Sequence, residues 1–287
     1  MSLEAALADQ ERAWRERPVL RRLYREWHEE IARELAPGPG ETVELGAGFA
    51  ELKHVVPHVV ATDVEPTSWA DAVVDAHDLP YADASLANLV LFDVFHHLGD
   101  PARFLDEAGR TLRPGGRIVL VEPYCSAVST PLYRRFHHER TDLGVDPFAP
   151  DPALGAAMEG NQALPTLAFF RHAAELTRRW PELRLVRRRR FAFVLYPLSG
   201  GYSRRPLVSP GLYRPLHVLE SVLSPLAPLL AFRCLVVLER TLVLDRVDVE
   251  VNRPDHARES AQRHEELEEP ERQRDLRPSV PDDGEEG

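Results

Sequence analysis

An α/β protein built on a doubly wound, mostly parallel sheet is predicted by three observations. Five short runs rich in Val, Leu and Ile recur between Glu41 and Glu122 with little polar alternation, as strands buried on both faces do. A capped amphipathic helix separates the last two. A Gly-x-Gly pair stands where the first run should hand over to a helix, and β-α-β alternation of this kind builds parallel sheets.

The elements follow in order. From Ser2 to Ala36, Leu3, Leu7, Trp14, Leu20, Leu23, Trp27, Ile31 and Leu35 recur at helical spacing. Pro18 divides this stretch into two helices, and Pro37-Gly38-Pro39-Gly40 ends it. Strands are expected at Thr42–Leu45, His58–Thr62, Ala72–Asp75, Ala87–Phe92 and Arg117–Glu122. Asp100 caps the intervening helix, Pro101 suits its first turn, and Phe104, Leu105, Ala108 and Leu112 form its apolar stripe up to Pro114-Gly115-Gly116. Two later strands are expected at Leu183–Val194 and Phe232–Glu239. They follow long excursions at about 123–181 and 196–231, and such excursions are usually binding structures or lids. The chain thus divides into an N-terminal helical segment (1–36), a main domain (37–249) and a tail (250–287) expected to be disordered, because its hydrophobics vanish.

Composition excludes several classes. Of 287 residues, 44% are hydrophobic and 28% charged, so a sizeable core is available. The net charge is −11; the tail holds 13 acids and 6 Arg, a net of −7, which leaves −4 for the body. A near-neutral body with an acidic tail is a poor nucleic-acid binder, since phosphate contact needs clustered cations. Cys125 and Cys234 are too few for a disulfide framework or a tetrathiolate zinc site. The charged N-terminus lacks an apolar secretory core, so a cytoplasmic location is expected.

Chemistry gathers at the predicted strand tips. Gly46 and Gly48, after Glu44, permit a tight turn and bring bare backbone near a ligand, and the following helix N-terminus would offer free N–H groups. Asp63 ends the second strand, where an acid can accept from both hydroxyls of a ribose. Asp75 and Ala76 follow the third, where a carboxylate and a backbone N–H suit an adenine. Each acid alone could be a loop cap, but ligands of open α/β sheets gather at these carboxyl ends. A dinucleotide loop expects Gly-x-Gly-x-x-Gly, yet Glu51 follows Ala50 here and would repel a pyrophosphate. A zwitterionic tail bearing an ammonium and a sulfonium tolerates Glu44 and Glu51.

The blocks VELGAGFAE, ATDVE, VVDAHDLPYADASLANLVLFDVFHHL and LRPGGRIVLVEP, in this order across Glu41–Pro123, resemble the class I S-adenosylmethionine-dependent methyltransferases of small-molecule type. The resemblance implies a Rossmann-like seven-stranded sheet whose last strand runs antiparallel. It implies S-adenosylmethionine as cofactor, with Glu44, Gly46 and Gly48 on its methionine side, Asp63 at the ribose and Asp75 with Ala76 at the adenine. Phe92 and Asp93 would flank it near the transferred methyl. Two departures stand out. Ala50 replaces the usual third glycine, a change expected to cost little. The short link from Asp63 to Asp75 must curtail the usual second helix.

The acceptor would be a small or lipid-like molecule under the two insertions. A general base is needed only if the acceptor must lose a proton. His137 and His138, inside the first insertion with Tyr124 and Tyr133 upstream, are the candidates; His96 and His97 read better as loop supports. No metal is assigned, because adjacent histidines rarely chelate one ion from a single helix face and no third ligand is evident. Gly160-Asn161-Gln162 and Ser199-Gly200-Gly201-Tyr202 read as substrate loops or plain turns, and Arg187–Arg190 as a solvated strand end. Leu216–Leu230 is apolar but interrupted by Glu220, Pro225 and Pro228, and too short to span a membrane. It reads as a lid or core helix, with membrane-surface contact the lesser reading. A nicotinamide-dependent oxidoreductase and a methyltransferase-like scaffold without turnover stay open as alternatives. The sequence assigns no oligomeric state.

Overall fold

Seven strands form one sheet in the order β3-β2-β1-β4-β5-β7-β6. The computed structural model describes residues 3–154, 159–202 and 204–241; the acidic stretch 250–287 lies outside them. The strands are β1 (Glu41–Leu45), β2 (Val60–Asp63), β3 (Ala72–Val73), β4 (Leu86–Phe92), β5 (Leu112–Pro123), β6 (Leu183–Phe191) and β7 (Arg233–Arg240). The first five pair in parallel. Strand β7 inserts between β5 and β6 and runs antiparallel to both.

The period-two alternation of the strands fills both faces. Leu89, Leu91, Ile118, Leu120, Val236 and Leu238 enter one core, with Phe104 and Leu105 of α3 (Pro101–Thr111). Val90, Val119, Val121, Leu235 and Val237 enter the other, against Leu20, Tyr24, Trp27 and Ile31 of α2 (Pro18–Glu34). Pro18 starts α2 after α1 (Leu3–Glu16), and Asp100 caps α3 by accepting from the Arg103 N–H at 3.1 Å. The first insertion holds α4 (Ser129–Phe136), α5 (Leu164–Thr166), a π-turn at Leu167–Arg171 and α6 (Ala173–Arg179). The second holds α7 (Leu195–Ser199), α8 (Tyr213–Val222) and α9 (Ala227–Leu230).

Five local expectations need correction. The helix after the glycine loop is only a 3-10 turn, Glu51–His54, because Pro57 follows within a few residues and disfavours helix before it. Strand β3 stops at Val73, since Asp75 turns back onto His77. Strand β6 stops at Phe191, since Ala192 takes φ 64°. Helix α3 ends at Thr111, and Pro114-Gly115-Gly116 lies within β5, beside a register shift against β4. Helices α8 and α9 are core only in part: Tyr213 and Ala227 are buried, while Val218, Val222 and Leu229 are exposed. No helix of the described residues is long and apolar enough to cross a membrane.

Arg187, Arg188 and Arg189 are exposed, as expected of a solvated strand, yet they also have partners. The strand sends Arg187 and Arg189 to Glu30 of α2, while Arg188 and Arg190 lie over the Phe170 ring on the opposite face. Ala50 is costlier than its size suggests. It sits at φ 56°, ψ 39°, a left-handed conformation that only glycine adopts without strain. Ala50→Gly should therefore raise Tm by about 2–4 °C, the equivalent of about 1 kcal/mol; a scanning-calorimetry trace with Tm unchanged or lowered would contradict it.

Candidate active site

The carboxyl ends of β1, β2 and β4 and the turn after β3 open into one cavity of about 1600 Å³. Gly46 (φ 62°) and Gly48 (φ 55°) turn the chain at its floor. A Cβ on Gly46 would stand 2.5 Å from Val94 Cγ2, so the approach of β1 to the β4 tip requires glycine. The Ala47 N–H donates to Thr62 O at 2.8 Å, and Asp63 accepts from the Gly48 N–H at 3.3 Å and the Val64 N–H at 2.8 Å. These bonds lock the β1 and β2 tips together. Leu3 and Leu7 of α1 also line the cavity, Leu7 lying over Gly48.

The acids at these tips are strained. Glu44 is 3% exposed, its Oε2 has no hydrogen-bond partner, and burial pushes its carboxyl up to about 8. Burial also raises Asp63, against the pull of its backbone donors. Asp75 is more open and is bonded to His77 Nδ1 at 2.7 Å. Asp75 and Ala76 nonetheless line the same cavity as Glu44 and Asp63.

Phe92 and Asp93 stand at the β4 tip, facing an aromatic wall that includes Tyr24, Tyr196 and Tyr202. Sequence reasoning missed Arg233. At the start of β7 it reads as one cation beside an apolar run, and only the insertion of β7 next to β5 carries it to this wall. Its guanidinium is 2% exposed, lies about 5.5 Å from the Trp27 and Tyr196 rings, and puts Nη2 2.5 Å from Asp93 Oδ1 without hydrogen-bond alignment.

The histidines meet at one carboxylate. His137 leaves α4 in extended conformation and, with His138, lines the cavity. Their ring nitrogens lie 3.8 and 3.5 Å from Glu139. Desolvation lowers His137 from its ordinary value, which favours the neutral imidazole. His96 is buried, with Nδ1 2.7 Å from Glu122 and Nε2 3.3 Å from Glu139. Burial opposes its charge, but the two carboxylates carry it up to about 10. Burial and the neighbouring His96 push His97 down to about 4. Asn161 and Gln162, read as loop or turn, hold this cluster: the Asn161 N–H donates to His96 O at 2.8 Å, and the Gln162 amide donates to Glu139.

Residues 34–120 match the family model described as a methyltransferase domain. A demethylmenaquinone methyltransferase of Clavibacter sepedonicus is 30% identical over 54% of this chain and 66% of its own length. A Mycobacterium tuberculosis protein named "Probable S-adenosylmethionine-dependent methyltransferase" is 32% identical over 42% of this chain and 47% of its own. Residues 34–120 thus resemble a methyltransferase domain, and the relatives matched are named as methyltransferases. The matches span less than two thirds of either relative. Geranyl diphosphate C-methyltransferase from Streptomyces coelicolor has TM-score 0.44 at 14% identity, covering 81% of this chain and 85% of that one.

The cavity fits S-adenosylmethionine, the cofactor named for a matched relative, in its donor chemistry. An orphaned buried carboxylate oxygen on Glu44 awaits a cation. Asp63 offers an acceptor at the β2 tip, and the two left-handed glycines keep side chains out of the space between.

Proposed function

We propose that the chain transfers the methyl group of S-adenosylmethionine to a small, partly apolar acceptor. The observation that carries this is the convergence of Glu44, Asp63 and Asp75, from three strand tips, on one cavity opposite an aromatic wall. A volume of about 1600 Å³ exceeds what one drug-sized ligand fills, so cofactor and acceptor can share it.

S-adenosylmethionine supplies an electrophilic methyl group when bound. The chain's own residues then have three tasks: to bind, to orient and to exclude water. Glu44 would take the ammonium, Asp63 the ribose hydroxyls, and Asp75 with the Ala76 N–H the adenine. Phe92 and Asp93 would bound the methyl side. His137, on the cavity wall with its neutral form favoured by desolvation, and His138 beside it would accept a proton from an acidic acceptor. Leu132, Phe136 and Leu207 line the cavity while staying exposed, which suits an acceptor with an apolar part, in keeping with the demethylmenaquinone in a relative's name. The nicotinamide reading loses support, because no helix N-terminus follows the glycine loop to meet a pyrophosphate.

Calorimetry with S-adenosylhomocysteine tests the reading. Asp63→Ala should weaken binding about 10–100-fold, the worth of a pair of hydrogen bonds to a carboxylate, with an unchanged circular dichroism spectrum. An unaltered dissociation constant removes Asp63 from the site. No heat and no thermal shift with the parent chain removes the cofactor.

A further inference from the structure

We propose that His96, His97 and Glu139 form a binding site for a divalent transition-metal ion on the cavity wall. Two imidazoles and a carboxylate are the donor set of open catalytic zinc and non-haem iron centres. The fold brings them together from separate segments: the histidines from the turn after β4, the carboxylate from the loop after α4. Glu139 is the third ligand, and His96 and His97, though adjacent, both turn Nε2 towards it.

The geometry suits an ion. His96 Nε2 lies 3.3 Å and His97 Nε2 3.8 Å from the Glu139 oxygens, and the three donor atoms all fall within 4.8 Å of one another. Ligands about 2.1 Å from a tetrahedral ion stand about 3.4 Å apart, so only small shifts are needed, and the ion displaces to solvent the proton that His96 Nε2 directs at Glu139. The ring orientation is already set. His96 Nδ1 is held at 2.7 Å by Glu122, which is itself fixed by the backbone N–H groups of Val94 and Phe95. His97 Nδ1 is 2.9 Å from Glu159 O, a group that only accepts, so Nδ1 carries the proton and Nε2 faces Glu139 with its lone pair. A carboxylate and a backbone carbonyl behind the ligating imidazoles are the outer supports that metal-binding histidines ordinarily have.

Gly160 closes the back of the cluster. A Cβ there would stand 2.9 Å from His96 Cδ2, 3.0 Å from Glu139 Oε2 and 3.1 Å from His97 Nδ1, so the backbone packs directly on the three ligands. The front is the cavity, which all three residues line. Open coordination positions would therefore face the space assigned to the acceptor. His137 and His138 reach the same carboxylate from another side and can add a donor. The site stands on these side chains alone and does not need the methyl-transfer reading.

The test uses the full chain without a polyhistidine tag, stripped by chelator and titrated with Co²⁺ near neutral pH. One equivalent should bind with visible absorption bands that Zn²⁺ abolishes. His97→Ala and Glu139→Gln should each weaken Co²⁺ binding at least about tenfold, while His217→Ala on exposed α8 should not. X-ray absorption of the Zn²⁺-loaded parent chain should show imidazole and carboxylate ligands, a readout that needs no variant to fold. The absence of a saturating cobalt spectrum, a shell without imidazole, or equal affinity in both folded variants overturns the proposal. S-adenosylhomocysteine binding to the metal-free chain, measured in parallel, reports separately on the cofactor.

Discussion

Replacing Glu44 by Gln should stabilise the protein and cripple cofactor binding at once. Glu44 is buried without a partner for Oε2, and its carboxyl is held up near 8 by desolvation. In the unfolded chain the same group ionises in the ordinary range near 4.3. Between about pH 4.3 and 8 the folded state thus holds a proton that the unfolded state releases. Stability from this group is full below that window and falls as pH rises through it, by at most about 1.4 kcal/mol per unit. An amide does not titrate, so the Tm difference between Glu44→Gln and the parent should be small at pH 5 and widen towards pH 8. There it should reach roughly 4–8 °C, for an advantage on the order of 2 kcal/mol. The cost is function. An ionised Glu44 is what a bound ammonium requires, so S-adenosylhomocysteine should bind the variant at least about tenfold more weakly, the worth of one charge-assisted hydrogen bond. Binding to the parent at pH 7 should also expel about one proton more than binding to the variant, read from calorimetry in buffers of different ionisation enthalpy. Equal proton release would show that Glu44 does not meet the ligand's cation. A Tm gap independent of pH would show that it is not a strained acid.

What could be read from the sequence follows what is local. The strands β1, β2, β4 and β5 declare themselves by apolar runs, and α3 by Asp100 and Pro101, because propensity and capping act within a few residues. Glu44, Gly46, Gly48 and Asp63 were legible for the same reason: each belongs to a strand tip whose place in a doubly wound sheet is fixed by chain order. The helix after the glycine loop was misread because Pro57 cuts it short, a breaker that outweighs a pattern expected from the fold. Ala50 looked harmless because size is visible in a sequence and φ is not. The β6 arginines are solvated as read, but their partners Glu30 and Phe170 could not be read, because they come from an earlier helix and a π-turn. His97 and Glu139 are far apart in the chain, and only the packing of the first insertion over the β4 tip puts them in one cluster. Arg233 is the extreme case, since its surroundings come from α2, β4 and α7, elements with no sequence proximity to β7.

That surrounding makes Arg233 a cavity residue whose removal should cost the fold heavily. Its guanidinium is enclosed by the rings of Trp27, Phe92 and Tyr196 at 5.5, 5.6 and 5.5 Å. Such faces attract a desolvated cation. The formal counterion is Asp93, which sits at φ 58° and pairs through Oδ1 at 2.5 Å. Burial raises the Asp93 carboxyl, and Arg233 pulls it back. Removing the cation strands the carboxylate, and breaking a buried pair from one side costs about 3–5 kcal/mol. Asp93 keeps 30% of its side chain open on the cavity, so water softens the loss and the lower end applies. Arg233→Met, which fills much of the volume with apolar atoms, should lower stability by about 3 kcal/mol, or Tm by roughly 6–12 °C. Adding Asp93→Asn should recover at least about 1 kcal/mol, because the amide needs no counterion. Strict additivity in that double-mutant cycle would mean that the aromatic rings, and not Asp93, hold the guanidinium. The pair would then be a neighbourhood of two charges rather than an interaction, and Asp93 would be free to answer to whatever occupies the cavity.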